Sequence, residues 1–576
     1  MVDKQQVARV LEDIASFMEL KGENPFRVRA YRSAARAIAT FPGDLAEALA
    51  TGELAETKGI GPATLEIIAE VLNTGRSRML EDLRDEIPPG LVEMLQISGL
   101  GVAKVRQIYE TLHIDTLAEL EEAARDGRLE KLPRFGKKTA ENILKGIAFL
   151  RQSSAYRLLH HARSEAQALA EVLRTLPGVT EVYVVGSVRR WREVIRDLDF
   201  VLVMKGPPGP VVETLGAASG VREFVSSTER AITLRFASGT VADVYLSSPE
   251  RLGYDLVRAT GSEEHWSQLA ARARSMGLVF EESGPRREAE LLSITREEDL
   301  YRLLDLPWIA PELREGRGEI EAAASGTLPC LLEPGDVRGF LHCHTVYSDG
   351  SSTIREWAEA ARKAGYSYLG ITDHGTAAAY AGGLRAEDIA RQHAEIDEVN
   401  RECRDFKVLK GVEADILGDG SLDYNDEILG SFDFVIASVH SRLGMDAGQM
   451  TRRILKAMDN PHMAILGHPT GRLLLSRDPY PMDLEAIFEK AAERGIAVEI
   501  NADPQRLDLD WRLVRDAVGR GVTISLGADA HGVNGIANME LGVAMARKGW
   551  LGKEQVLNTR HLEGFLEHVA RRRARR

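Results

Sequence analysis

From residue 1 to about 150, apolar positions recur at helical spacing in short segments broken by Gly- and Pro-centred turns, with little β-branched alternation. The pattern predicts an all-α front end. The rhythm then changes: "VTEVYVVGS", "LDFVLVMK", "AITLRFAS" and "TVADVYLS" are strand-like runs at irregular spacing, which predicts an α+β sheet unit. Helical patterning returns after residue 250. Residues 322–339, "AAASGTLPCLLEPGDVRG", gather small residues, Pro and Gly and mark a linker. Beyond it "YLGITDHG", "VLKGVEADI", "DFVIASVHS", "MAILGHPT", "AVEINAD" and "TISLGADAH" follow one another with a helical stretch between each. That βαβα alternation predicts a parallel α/β barrel or a doubly wound sheet.

Composition narrows the class. With 576 residues, 44% hydrophobic and 28% charged, the chain has several globular units rather than a disordered, collagenous or disulfide-stapled build. The amino-terminal "MVDKQQVARVLEDIASFMEL" lacks the basic and apolar regions of a leader, and no apolar run is long enough to span a bilayer, so a cytoplasmic protein with no membrane partner is expected. Cys330, Cys343 and Cys403 show no CxxC spacing and fit a reducing compartment. A net charge of -14 argues against a broad basic surface for nucleic acid, but leaves room for local contacts. The closing "ARRRARR" reads as a solvated helix end, with a phosphate-contacting arm as the alternative.

Three stretches of the front end share one logic: "TKGIGPAT" with Gly59 and Gly61, "ISGLGVAK" with Gly99 and Gly101, and the weaker "LPRFGKKT" with Gly136. A turn of this kind between short helices exposes backbone N–H groups beside a helix amino terminus, a site for a DNA phosphate. One copy could be only a compact connection. Three copies point to DNA held by its backbone, without reading of sequence.

In "VVGSVRRWREVIRDLDFVLV", Asp197 and Asp199 alternate onto one face of a strand, where two carboxylates can share divalent cations. Asp243 in "TVADVYLS" is the candidate third acid. The arrangement suits in-line nucleotidyl transfer with Mg²⁺ or Mn²⁺, and Gly186, Ser187 and Arg190 would cradle the triphosphate. Alone, "DLD" is commonplace on surfaces.

These motifs, with "YRSAARAIATFP" and "ATGSEEH", resemble a bacterial family X DNA polymerase over residues 1 to 320. The resemblance implies a helical helix-hairpin-helix unit at 1–82, helical fingers with a further hairpin at 83–155, an α+β nucleotidyltransferase-like palm at 156–250, a thumb at 251–320 and a linker at 321–337. It also implies gap filling on gapped or nicked DNA with deoxynucleoside triphosphates. Four places depart from the family's pattern. Arg196 stands where Gly often precedes the first catalytic Asp, Arg258-Ala259 replace Tyr-Phe, and Trp266 replaces Asn near the nascent base pair. Ile67 occupies the position of the lyase lysine and cannot form its imine, so no lyase activity is expected.

In "RGFLHCHTVYSDGSS", His342 and His344 are expected to share a strand face, with Asp349 in the loop that follows. His374, Glu413, His440, His468, Asp529 and His531 each fall at the end of a predicted strand. A lone histidine is usually a packed side chain, but chance would scatter nine such residues onto helices as well. Mixed imidazole and carboxylate donors suit zinc or manganese. The spacing resembles the PHP phosphoesterase domain, a distorted (β/α)7 barrel, here at 338–576. That resemblance implies three ions: one on His342, His344, Glu413 and Asp529, a second on Glu413, His440 and His468, a third on Asp349, His374 and His531. The whole implies a DNA repair enzyme in which a polymerase is coupled to a metal-dependent 3′-5′ exonuclease or 3′-end-processing phosphoesterase. The alternative is a PHP nuclease or small-molecule phosphatase whose polymerase half is a weak or inactive DNA-binding scaffold. Protein partners are not legible.

Overall fold

A computed structural model describes residues 4–574 apart from 40, 42–44, 98, 154, 207–208, 218–220, 237–238 and 404. The front end is helical, as its 3.6-residue periodicity predicts, from helix Lys4–Leu20 to helix Lys137–Ser153. Its apolar faces converge on one continuous core running from Val7, Leu11 and Ile14 through Ile68 and Met94 to Ile143 and Ile147. The two hairpin units expected at 1–82 and 83–155 therefore share an interior, and Lys4–Leu20 packs against both Pro25–Ala39 and Val102–Leu112.

The α+β unit is a five-stranded sheet. Its strands are β1 (Val179–Val184), β2 (Leu198–Met204), β3 (Val221–Ser227), β4 (Ala231–Phe236) and β5 (Val241–Ser247), in the spatial order β1-β2-β5-β4-β3. Only β2 and β5 run parallel, which brings the strands with the candidate acids side by side. Edge strand β3 was not foreseen: all but one of its residues are exposed, so "VREFVSS" carries no buried alternation. The following helices, Leu252–Thr260 and Glu263–Ser275, pack Tyr254, Val257 and Leu269 against Leu300 and Tyr301 as a separate core, with a small antiparallel sheet over 278–291.

The carboxyl half is a closed barrel of seven parallel strands in sequence order, not an open doubly wound sheet. These are β6 (Gly339–Cys343), β7 (Tyr368–Ile371), β8 (Lys407–Asp415), β9 (Phe434–Ser438), β10 (Met463–Leu466), β11 (Ala497–Asn501) and β12 (Ile524–Ala530). Apart from Lys407 and Lys410 of β8, every residue of these strands is buried, since helices cover the outside and side chains fill the inside. Leu341, Tyr368, Leu409, Phe434 and Ile465 close the amino-terminal end together with Phe565 and Val569 of the last helix, Leu562–Ala574. Burying each such side chain contributes about 1.5–3 kcal/mol. Sealed below, the barrel leaves its carboxyl-end loops as the working face.

The basic tail is solvated only in part: Arg571 is exposed and pairs with Glu567 (2.8 Å), while Arg572 and Arg573 turn inward. Arg572 is buried, donating from Nε to the Met463 carbonyl (3.1 Å) and from Nη2 to the carbonyls of Met458 (2.8 Å) and Asn460 (2.6 Å). Arg573 donates to the Phe432 carbonyl. Arg572 and Arg573 thus fasten the last helix to the barrel; residues 575–576 lie outside the described residues. Within residues 321–337, which are mostly exposed, Ala323, Leu332 and Val337 are buried, and the Leu332 N–H donates to the Leu551 carbonyl (2.8 Å). Palm and barrel meet through buried charge. Trp511 Nε1 and Arg512 donate to Glu193 at 3.0 and 2.5 Å, and Glu315 accepts from Lys548 (2.7 Å), Arg190 (3.1 Å) and Arg192 (3.2 Å). Among the described residues no helix is long and apolar enough to cross a membrane.

Candidate metal centres and nucleic-acid surface

All nine barrel residues singled out in the sequence lie at the carboxyl end of a strand or in the loop just after it, and they converge. Glu413 is at the centre: five imidazole nitrogens surround its carboxylate, from His374 and His468 (3.0 Å each), His440 (3.3 Å), His342 (3.4 Å) and His344 (3.7 Å). Asp529 Oδ1 faces His344 (3.3 Å) and His342 (3.6 Å), while Asp349 faces His531 (3.4 Å) and His374 (3.6 Å). Donor atoms of three sets lie within 4.8 Å of one another: His342, His344 and Asp529; His374, Glu413 and His440; His344, Asp349, His374 and His531.

Buried polar atoms are costly when unpaired. Here His342 Nε2, both ring nitrogens of His344, His374 Nδ1 and Glu413 Oε2 are buried with no hydrogen bond, and all belong to this one cluster. The donor set therefore fits divalent cations. Burial would raise the Glu413 carboxyl, but the neighbouring His440, His342 and His374 hold it well below the usual range, so it is a ready anion. His344, stacked at 4.4 Å on both His374 and His531, is pushed down to about 4 by burial and by those two rings. A neutral imidazole is the ligating form.

The two histidines of β6 do not share a face by simple alternation. The strand shifts register between Leu341 and Cys343, and His342 adopts φ 61°, the left-handed region. Asp529, on neighbouring β12, has φ 48°. Two strained backbones at adjacent positions aim their side chains inward, a cost of order 1–3 kcal/mol each that the closed barrel holds in place.

Three buried carboxylates outside the nine were missed in the sequence. Glu499 accepts from His342 Nδ1 with one oxygen and from the His468 backbone N–H (2.6 Å) with the other. Asp373 accepts from the Thr345 N–H (2.7 Å), the Thr345 hydroxyl (2.6 Å) and Gln392 (2.6 Å), and so shapes the loop that carries Asp349. Asp415 lies 3.2 Å from His440 Nδ1. A signal existed for Glu499: a charged residue inside the apolar run "AVEIN" needs a buried partner.

In the palm, Asp199 and Asp243 are register partners on parallel β2 and β5, and Asp197 stands one residue before β2. Burial, then Asp197 and Asp243, push the Asp199 carboxyl up to about 7. Such mutual repulsion is what a bound cation would relieve. Thr233 Oγ1 donates to Asp243 Oδ1 at 2.6 Å and fixes its rotamer. Gly186, at φ 62°, passes so close that a Cβ there would sit 1.8 Å from Asp199 Oδ2. Ser187 contributes a backbone N–H to the Asp199 carboxylate. Arg190, expected on the triphosphate, donates here to the Thr260 carbonyl (2.6 Å) and to Glu315 (3.1 Å). Beside the acids, Tyr245, Arg258, Ala259, Ser262 and Trp266 line a cavity of about 290 Å³.

The hairpin glycines form three separate turns. Gly59 and Gly99 take φ 103° and 80°, Ile60 and Leu100 are buried anchors, and Gly61 and Gly101 open helices Pro62–Thr74 and Val102–Leu112. The weak third copy has the same shape: Arg134 takes φ 70° where its counterparts have Gly, Phe135 is the anchor, and Gly136 leads into Lys137–Ser153. A Cβ at Gly61, Gly101 or Gly136 would meet nothing within 4 Å, so each helix start is open to a phosphate.

The front end lies against the barrel's working face. Helix Pro25–Ala39 touches the turn Ala379–Ala381, which follows β7. Gln96, Asn142, Lys145 and Phe149 share a cavity of about 330 Å³ with Ser476, Arg477 and Asp478, in the loop after β10.

Comparison with known proteins agrees with this architecture. Family models match at 2–77 (helix-hairpin-helix domain), 91–148 (SAM-like helix-hairpin-helix tandem), 255–315 (DNA polymerase beta thumb) and 341–503 (PHP domain). The DNA polymerase/3′-5′ exonuclease PolX of Bacillus subtilis is 36% identical over 571 residues, 98% of this chain and 99% of its own length. The chain belongs to the bacterial family X DNA polymerases with a carboxyl-terminal PHP domain. Probable phosphatases of Clostridium acetobutylicum and Syntrophotalea carbinolica are each 30% identical, over 38% and 40% of this chain and 89% and 94% of their own lengths.

Within this family X polymerase the departures have visible places. Arg196 and Arg258 are exposed beside the acids and the cavity. Trp266 is part of the thumb's packing, stacked on Phe280 (5.1 Å) and edge-on to Tyr254 (5.3 Å). Ile67 is a buried residue of helix Pro62–Thr74.

Proposed function

We propose that the chain is a cytoplasmic DNA repair enzyme, which fills short gaps at its palm and degrades or unblocks 3′ ends at its barrel. The observation that carries the reading is that a barrel cluster of imidazoles and carboxylates and a palm pair of register-partnered carboxylates lie on a chain aligned end to end with a relative named for both activities. The relatives named as phosphatases match only 38% and 40% of this chain, against 98% for the polymerase/exonuclease, so the small-molecule alternative is not preferred.

At the barrel, His342, His344, Glu413 and Asp529 would hold one ion, Glu413, His440 and His468 a second, and Asp349, His374 and His531 a third, with Zn²⁺ or Mn²⁺ suited to the donors. At the palm, Asp197, Asp199 and Asp243 would hold Mg²⁺ or Mn²⁺. Divalent ions at such sites neutralise phosphate oxygens and acidify the water or hydroxyl that attacks. The protein's part is positional. Glu499, beside His342 Nδ1, would hold the ring with Nε2 toward the cluster as the ligand atom. Gly186 and Ser187 bring backbone against the palm acids, and Arg190 would exchange Glu315 for a phosphate of the incoming deoxynucleoside triphosphate. The hairpins at Gly59, Gly61, Gly99, Gly101 and Gly136 would hold the gapped or nicked duplex by its phosphates.

The test is a pair of incubations of the full chain. Gapped DNA with nucleotides and Mg²⁺ is expected to be extended, and 3′-tailed DNA with Mn²⁺ and no nucleotides to shorten from its 3′ end. Failure of either, with metal bound, overturns that half of the reading.

A further inference from the structure

Tyr380 and Phe26 are the two most exposed large apolar side chains among the described residues, at 62% and 75%. They stand on the two elements that touch across the barrel's working face, Phe26 on helix Pro25–Ala39 and Tyr380 in the turn Ala379–Ala381. Tyr380 is beside the metal cluster: its ring centroid is 6.2 Å from that of His374 and 6.5 Å from that of His440. Phe26 lies under the Arg29 guanidinium at 4.7 Å. Exposed aromatics at the rim of a phosphate-cleaving centre have no packing reason to be there, whereas unpaired bases stack on such rings whatever their identity.

We propose that Tyr380 is the platform for the terminal base of a single-stranded DNA end whose phosphodiester sits at the barrel centre, with Phe26 and Arg29 bearing on the strand behind it. A sugar separates a base from its phosphate, so a ring about 6 Å from the ligating imidazoles lies where the base arrives. The same placement makes Tyr380 a specificity-determining residue: a small phosphoester has nothing to lay on it, and a nucleic-acid end does. The inference rests on the barrel acting on DNA, and it adds the residue on which the terminal base would lie.

The experiment compares wild type, Tyr380→Ala and Tyr380→Trp, with Mn²⁺, on a 3′-tailed oligonucleotide and on bis(p-nitrophenyl) phosphate. The ratio of kcat/KM for DNA to kcat/KM for the small diester is expected to fall roughly tenfold in Tyr380→Ala, through the KM for DNA, and to recover in Tyr380→Trp. Phe26→Ala is expected to lower the ratio in the same sense. An unchanged ratio in Tyr380→Ala, including an equal loss on both substrates, overturns the inference. A wild-type chain inert on DNA but active on the diester defeats the reading beneath it instead, which keeps the two failures apart.

Discussion

His342 and His468 are bound to the same carboxylate: Glu499 takes the His342 ring proton on one oxygen and the His468 backbone N–H on the other. The Glu499 side chain is buried, and Gly527 leaves it room, since a Cβ there would lie 1.8 Å from Glu499 Oε1. One residue thereby orients strand ends on either side of β11. Glu499→Gln should weaken metal binding at the barrel by about 10–100-fold, read by titration of the metal-free chain, and gap filling should be untouched.

Gly186 has a comparable dependence in the palm. In Gly186→Ala the new methyl must displace the Asp199 carboxylate, and the φ of 62° disfavours any L side chain. Incorporation on gapped DNA should drop by about 100-fold or more, as for a displacement of the order of 1 Å at reacting groups. Exonuclease activity measured on the same preparation should remain.

Glu315 gives the fold a pH dependence. Burial alone would raise its carboxyl, but Lys548, Arg190 and Arg192 override burial and hold it down to about 2. A depressed carboxyl stabilises the folded state above its unfolded value near 4.5, and that contribution is lost as pH falls toward 2. It amounts to roughly 3 kcal/mol. Glu315→Gln should be less stable at pH 7, and its stability should fall less steeply with acid than that of wild type, as denaturant unfolding at pH 6, 4 and 3 would show.

The hairpins predict opposite signs at equivalent positions. Gly59→Ala forces a left-handed alanine and should cost about 1–2 kcal/mol. Arg134→Gly relieves the same strain at φ 70°, offset in part by glycine's greater freedom when unfolded, and should leave the melting temperature unchanged or raised. Thermal unfolding of both variants checks the pair.

Much of this was legible, and the exceptions have physical reasons. The nine barrel residues stood out because each terminates a strand, and strand ends in a parallel barrel converge whatever the loops do. The bulge at His342 was invisible: a register shift is a property of two strands, and "FLHCH" looks like regular alternation. Strand β3 was missed because an exposed edge has no buried face to mark it. The burial of Arg572 was not legible because a charge run says nothing of the carbonyls it will meet, and Arg572 finds three of them. The ion pair of Arg190 with Glu315 was not legible, since the two lie 125 residues apart. The touch between Pro25–Ala39 and Ala379–Ala381 belongs to the same class of long-range facts.

The central claim is that one chain carries two independent centres, the palm acids around Asp199 and the barrel cluster around Glu413. The most direct measurement is a crossed assay of Asp197→Ala and His342→Ala, each on gapped DNA with nucleotides and on 3′-tailed DNA with Mn²⁺. Asp197→Ala should abolish incorporation and leave end degradation intact, while His342→Ala does the reverse; end degradation that survives His342→Ala would contradict the account.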